Sequence, residues 1–364
     1  MERLLTLLRE SFFTNIHRTN MALFNWSESI QSLLAASGDH APGEWVATQG
    51  AQVKVALIDS GIDLHIPAFE HLAKEPPHRF FTSSPTFSTD ALVCNDPVED
   101  TPDPMGHGTL YASMIAARDT GADAIIGMAP AATYCVIKAR TAGGGTTKVS
   151  HLLDAIELAV HLDVDIAIVG QSIFRGFIRP GELDPERVQR VFEKVEEKKL
   201  LVFCTLENRE PGESWEGLAS DYFPNCYLPV INCAKAPSDV AALRSGIQEQ
   251  RIHFLGAGFR GKVYKIGGTP IDLKLPGDAM LPPAEQMDRV LSNSALVYLI
   301  GGLATLCYAF ARKTDSAVKL DKAQMLDMLA GCCQFLDDAT GEYDHPVLFQ
   351  NYQSKPFATT DIVI

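Results

Sequence analysis

The sequence predicts an α/β protein built on a mostly parallel β-sheet with helices on both faces. Three observations predict it. Short apolar runs such as VKVALID at 53–59, VDIAIVG at 164–170 and LLVFCTL at 200–206 end abruptly at polar or glycine residues, as buried parallel strands do. Amphipathic stretches lie between them, HLLDAIELAVHL at 151–162 and RVQRVFEKVEEKK at 187–199, and this alternation marks a sheet with crossover helices. Asp59 and Asn208 fall at the carboxyl ends of predicted strands, where the chemistry of such sheets collects.

Residues 1–47 form an N-terminal segment whose leucines and aromatics recur at helical spacing (Leu4, Leu5, Leu8, Phe12, then Trp26, Ile30, Leu33, Leu34), broken by SGDHAPGE. The main domain is expected over 48–364. Its first strand carries Asp59. A loop rich in Pro, Ser and Asp follows, and then MGHGTLYASMIAAR, where Gly106 and Gly108 flank His107 ahead of a helical pattern. AATYCVIKAR at 131–140 reads as a strand and AGGGTTKVS as a flexible connector. NCYLPVINCA and IHFLGAG add strands after 225. The stretch from Arg289 to Leu306, RVLSNSALVYLIGGLATL, opens with Ser292, Asn293 and Ser294 and continues as a buried, glycine-marked helix. A hydroxyl at that helix start lies beside unpaired N–H groups and the positive end of the dipole, a place to stabilise an oxyanion; Ser is also a common N-cap. Residues from about 337 to 364 are polar and turn-rich and read as a C-terminal tail.

Composition narrows the function classes. The chain has 364 residues, 46% hydrophobic and 21% charged, enough for one large core. A net charge of -14 argues against nucleic acid and against an anionic membrane surface as partners. No run reaches the roughly 18 apolar residues that span a bilayer, and Met1–Phe13 lacks the order of a secretion signal, so a cytoplasmic protein is expected. The 8 Cys sit mostly in apolar runs as buried thiols, without metal-ligand spacing. The acid-rich loop 95–103 gathers oxygens of the kind that bind calcium, but a solvated loop is the favoured reading. No cofactor and no metal are expected. His65, His151, His161 and His253 are read as structural or exposed. The oligomeric state is open.

Asp59 in IDSGID, His107 in GHGT and Ser294 in SNSALVYLIGG together supply a carboxylate, an imidazole and a hydroxyl. If the fold unites them, they make an oriented base and nucleophile. These segments resemble those of the subtilisin-like serine proteases over most of residues 51–335. Asp59-Ser60-Gly61 with His65-Ile66-Pro67 is similar to the Asp segment. Gly106-His107-Gly108-Thr109 matches the His motif, GMAPAATYCVIKA at 127–139 resembles the strand segment after it, and LLVFCTLEN resembles the strand that ends in an oxyanion-binding Asn. Gly302, eight residues after Ser294, matches a helix glycine and favours Ser294 over Ser292 as nucleophile.

The resemblance implies a three-layer α/β sandwich and serine endopeptidase chemistry on a polypeptide substrate. Asp59, His107 and Ser294 would be catalytic, Asn208 would be the oxyanion donor, and Ser172, Ile173, Phe174, Gly143 and Gly144 would bind substrate. Departures stand out. Ser292-Asn293-Ser294-Ala295-Leu296 replaces Gly-Thr-Ser-Met-Ala, Tyr298 stands where many members have Pro, and Gly170-Gln171-Ser172-Ile173-Phe174 replaces Asn-x-Ser-x-Gly on the substrate edge. These departures keep two alternatives open: a degenerate subtilase serving as a binding or regulatory module, and a ligase or cyclase that passes the acyl group to an amine.

Overall fold

The computed structural model describes residues 24–25, 47–75, 77–82, 103, 105–118, 125–139, 149–171, 184–205, 227–232, 255–259, 293–330, 334–335, 346–350 and 362–363. Its strands are β1 (Phe24–Asn25), β2 (Lys54–Asp59), β3 (Arg79–Thr82), β4 (Ile125–Ile126), β5 (Thr133–Lys138), β6 (Ile166–Val169), β7 (Leu201–Thr205), β8 (Tyr227–Asn232), β9 (Leu255–Phe259), β10 (Gln334–Phe335), β11 (Pro346–Gln350) and β12 (Ile362–Val363). Its helices are α1 (Glu70–Lys74), α2 (His107–Ala116), α3 (Val149–His161), α4 (Pro185–Glu197), α5 (Asn293–Thr314) and α6 (Lys322–Ala330).

The main sheet runs β10-β12-β11-β9-β8-β7-β6-β2-β5-β3. The pairings from β3 through β5, β2, β6, β7 and β8 to β9 are all parallel. β11 then pairs antiparallel with β9, and β12 and β10 continue antiparallel beyond it. The segment after 337, expected as a tail, thus supplies β11 and β12 to the sheet. Of the N-terminal segment, Phe24–Asn25 is extended and pairs in parallel with β4, while the helices expected elsewhere in 1–47 lie outside the described residues.

Alternation along the strands assigns the layers. Val55 and Leu57 of β2, Tyr134 and Val136 of β5, Ile166 and Ile168 of β6, and Leu201 and Phe203 of β7 share one core with Leu110, Ile115, Val297, Ile300 and Leu303 of α2 and α5. Their alternates Ala56, Ile58, Ile137, Ala167, Val169 and Val202 are also buried. They face the opposite side, where α3 packs on β2, β5 and β6 and α4 packs on α3. β2 lies inside the sheet between β6 and β5, and KVALID is buried from Val55 to Asp59, with apolar side chains that serve both faces. This is the three-layer α/β sandwich with a mostly parallel sheet.

Charge fixes the end of the sheet remote from Asp59. Asp165, just before β6, is buried and receives both arms of the Arg312 guanidinium, each at 2.7 Å, together with Lys319 Nζ at 2.8 Å and the Lys54 N–H at 2.9 Å. The pair is bidentate and closely held, and it ties the last turn of α5 to the amino ends of β2 and β6. Cys135, Cys204 and Cys307 are buried, as expected for these side chains.

Candidate active site

Asp59 ends β2, and the ladder holds its backbone from both sides. The Ala139 N–H donates to the Asp59 carbonyl at 2.8 Å and the Gly170 N–H to the Ile58 carbonyl at 3.1 Å. Its carboxylate is only 3% exposed yet fully engaged. Oδ1 accepts from the Ser60 N–H at 2.7 Å and lies 2.7 Å from His107 Nδ1, and Oδ2 accepts from the Tyr298 hydroxyl at 2.9 Å. Burial alone raises a carboxyl pKa. Here the charge of His107 and the hydrogen bonds from His107, Ser60 and Tyr298 outweigh it and hold Asp59 below its ordinary value.

His107 is the first residue of α2, and the sequence around it explains its placement. Gly106 before it has φ 68°, a left-handed turn that a non-glycine residue adopts at a cost. Gly108 after it lies against the Ser60-Gly61 turn so closely that a Cβ there would stand 2.2 Å from the Gly61 carbonyl oxygen. The glycines of GHGT thus let the first turn of α2 reach Asp59, while the Gly108 N–H donates to Ser60 Oγ at 2.9 Å. With its side chain 23% exposed, the imidazole is reached by solvent and packs edge-on against Tyr111 at 4.7 Å between centroids.

Asp103, which sequence reasoning placed in a solvated acidic loop, turns inward. Its Oδ1 accepts from the N–H groups of Met105 at 3.2 Å and Gly106 at 2.9 Å, and its Oδ2 from the N–H and hydroxyl of Thr109, both at 2.7 Å. Gly106 has no side chain to cap α2, so Asp103 takes that role with a negative charge at the positive end of the dipole. An Asp just upstream of GHGT was the signal available in the sequence. Thr109 Oγ1 in turn accepts from the Asp63 N–H at 2.9 Å, so both loops converge on the start of α2.

Ser294 lies in the first turn of α5, as the sequence predicted. Its hydroxyl donates to the Gly170 carbonyl at 3.0 Å, not to His107. Gly170 follows β6 beside Asp59, and a Cβ on it would stand 2.0 Å from Asp59 Oδ2 and 3.2 Å from the Tyr298 ring. The residue that receives the Ser294 hydroxyl is therefore also in contact with the carboxylate that grips His107. Gly302 packs as expected, with room for a Cβ taken by the tip of Met128. Asn208, Ser172, Ile173, Phe174, Gly143 and Gly144 lie outside the described residues. So does most of the acidic loop 95–103, although Asp103 is described. Among the described residues no group of three or more His, Cys, Asp or Glu side chains is placed to hold a metal, and no helix is long and apolar enough to cross a membrane.

Over 192 residues the chain is 28% identical to the intracellular serine protease of Paenibacillus polymyxa, covering 53% of this chain and 52% of that one. It is 26% identical over 193 residues to the major intracellular serine protease of Bacillus subtilis (strain 168), covering 52% and 53%. The chain spans about half the length of the curated relatives it matches. Among solved structures it resembles a lanthipeptide protease in fold, at 19% identity and a TM-score of 0.52, over 86% of this chain and 90% of that one. The sequence model of the Subtilase family matches residues 50–231, half of the chain, a stretch that holds Asp59, His107 and Asn208 and stops before Ser294. The chain belongs to the subtilase family.

Proposed function

We propose that this chain is a subtilisin-like serine endopeptidase that cleaves polypeptides through an acyl-enzyme. The observation that carries the reading is the 2.7 Å contact between the buried Asp59 carboxylate and His107 Nδ1, which leaves Nε2 as the base. In this reading His107 Nε2 takes the proton of Ser294 Oγ as the oxygen attacks the scissile carbonyl carbon. The oxyanion is met by the Asn208 amide and the N–H groups at the start of α5. His107 then gives its proton to the leaving amine, and water releases the acyl group from Ser294. Asp59 stays ionised and holds the imidazole in one tautomer. Ser172, Ile173, Phe174, Gly143 and Gly144 would bind the peptide. Such chemistry requires no cofactor, and a cytoplasmic setting accords with the two relatives named above as intracellular proteases.

Before attack, the Ser294 hydroxyl must leave the Gly170 carbonyl, a χ1 turn that exchanges one hydrogen bond for another. The same bond favours a second reading, a degenerate subtilase that binds without cleaving. A fluorophosphonate reagent separates the two because it needs nucleophile, base and access together. The peptidase reading expects covalent labelling of the intact chain, lost in Ser294→Ala. A folded chain that takes no label even at saturating reagent would overturn the peptidase and leave the binding module.

A further inference from the structure

We propose that Tyr298 is a positioning residue for the Asp59–His107 pair, so that a phenol on the nucleophile's own helix sets the direction and the basicity of the carboxylate. The inference rests on the peptidase reading for its catalytic meaning, but its geometry stands by itself. Tyr298 is four residues after Ser294 on α5, so the two side chains leave the same helical face one turn apart. Its hydroxyl donates to Asp59 Oδ2 at 2.9 Å, the oxygen that His107 does not use. With Oδ1 held by Ser60 and His107 and Oδ2 by Tyr298, the carboxylate has no freedom to rotate. The distance from nucleophile to carboxylate is then fixed within a single helix.

The surroundings suit a donor that does not ionise. Tyr298 is fully buried, and its ring stacks on Tyr111 at 5.7 Å and 30°, the same Tyr111 that meets His107 edge-on. Gly170 leaves the space that brings the ring and the carboxylate together. Burial first, then the charge of Asp59, pushes the Tyr298 hydroxyl well above the ordinary tyrosine value, so it keeps its proton as it donates. The titratable groups facing the pair are His107 and Tyr298 on Asp59, with Asp103 and Tyr111 beyond Tyr298. Pro, which many family members carry at this position, offers no donor, so this device follows from the tyrosine present here.

Removing the phenol oxygen leaves the negative charge on Oδ2 without a partner. The carboxylate then attracts the imidazole proton more strongly and is free to turn. The test uses the full chain with 15N-labelled histidine, and the His107 titration is followed by NMR in unmodified protein, in Tyr298→Phe, and with a 3-fluorotyrosine placed at 298 alone. The fluorinated ring is a stronger donor that keeps the packing and serves if the phenylalanine variant does not fold. The His107 midpoint should rise by about half to one pH unit in Tyr298→Phe and fall in the fluorotyrosine protein. With a peptide substrate, kcat should drop about 10- to 100-fold in Tyr298→Phe with KM little changed, and the acid limb of kcat/KM should move to higher pH. A His107 midpoint that does not move in the folded variants overturns the proposal, since a tyrosine that merely packs would leave it in place. If the unmodified chain takes no fluorophosphonate label, the peptidase reading fails, while the NMR titration still decides whether Tyr298 governs the pair.

Discussion

Replacing Asp103 by Ala tests whether the start of α2, and with it His107, is held by a buried cap. Four donors point at this carboxylate, which is 1% exposed. Losing a helix cap costs about 1–2 kcal/mol. Losing a charge at the positive end of the dipole costs about 0.5–1 kcal/mol, and a stranded buried donor such as the Thr109 N–H about 1–3 kcal/mol. These contributions overlap, so the expected loss is about 3 kcal/mol, which for a chain of 364 residues is a fall in Tm of about 4 °C. Because His107 is the first residue of α2, the fluorophosphonate labelling rate well below the melting point should also fall, by about tenfold or more. Asp103→Asn keeps an oxygen for Met105 and Gly106 but turns an amide towards Thr109, and should lie between the two. Thermal melting by circular dichroism and labelling kinetics read both effects. A variant that melts within about 2 °C of the parent and labels at the parent rate would refute the capping role.

The remaining predictions concern the pocket beside Asp59 and the acid limb of stability. Gly170→Ala must move Asp59 Oδ2 or the strand end, because the new Cβ would overlap that oxygen; the expected cost is about 1–3 kcal/mol with a severe loss of labelling, read by urea unfolding and probe kinetics, and parent-like values in both would refute the contact. His71 and His78 are held neutral, chiefly by burial and then by the charge of Arg118, with pKa values pushed down to about 4. The unfolded chain takes up protons near pH 6.5 that the folded chain refuses until about 4, so this stability is complete above pH 6.5 and is lost as pH falls towards 4. After allowance for solvent screening the loss at pH 5 is about 1 kcal/mol for each histidine, and His71→Phe should flatten the fall of Tm between pH 7 and 5; an unchanged slope would refute the assignment.

The sequence is most legible where a signal is local. Strands β2, β5, β6 and β7 announce themselves as apolar runs, and α3 and α4 by their stripes, because burial acts on neighbouring residues with a fixed period. Asp59 and His107 are legible for a related reason, since the glycines beside them are required by turns and close backbone approach within a few residues. Strands β11 and β12 were hidden by polar, turn-rich composition, because β11 pairs with β9, about ninety residues earlier, and β12 is held through β11 and β10.

The carboxylate's third ligand was hidden by distance as well, since Tyr298 and Asp59 are 239 residues apart and neither residue type announces the bond. What the sequence showed at 298 was a missing proline, which reads as a defect only when each position is held to one role. A proline there would withdraw the N–H that an α-helix uses to bond the carbonyl four residues back, at Ser294. Tyrosine restores that N–H and adds a hydroxyl that reaches Asp59. The same residue thus keeps the backbone donor that an α-helix uses at the turn carrying Ser294 and supplies the carboxylate with a second one. The departures around Ser294 are best judged by what their side chains touch, and the one whose contact is described here points towards the site rather than away from it.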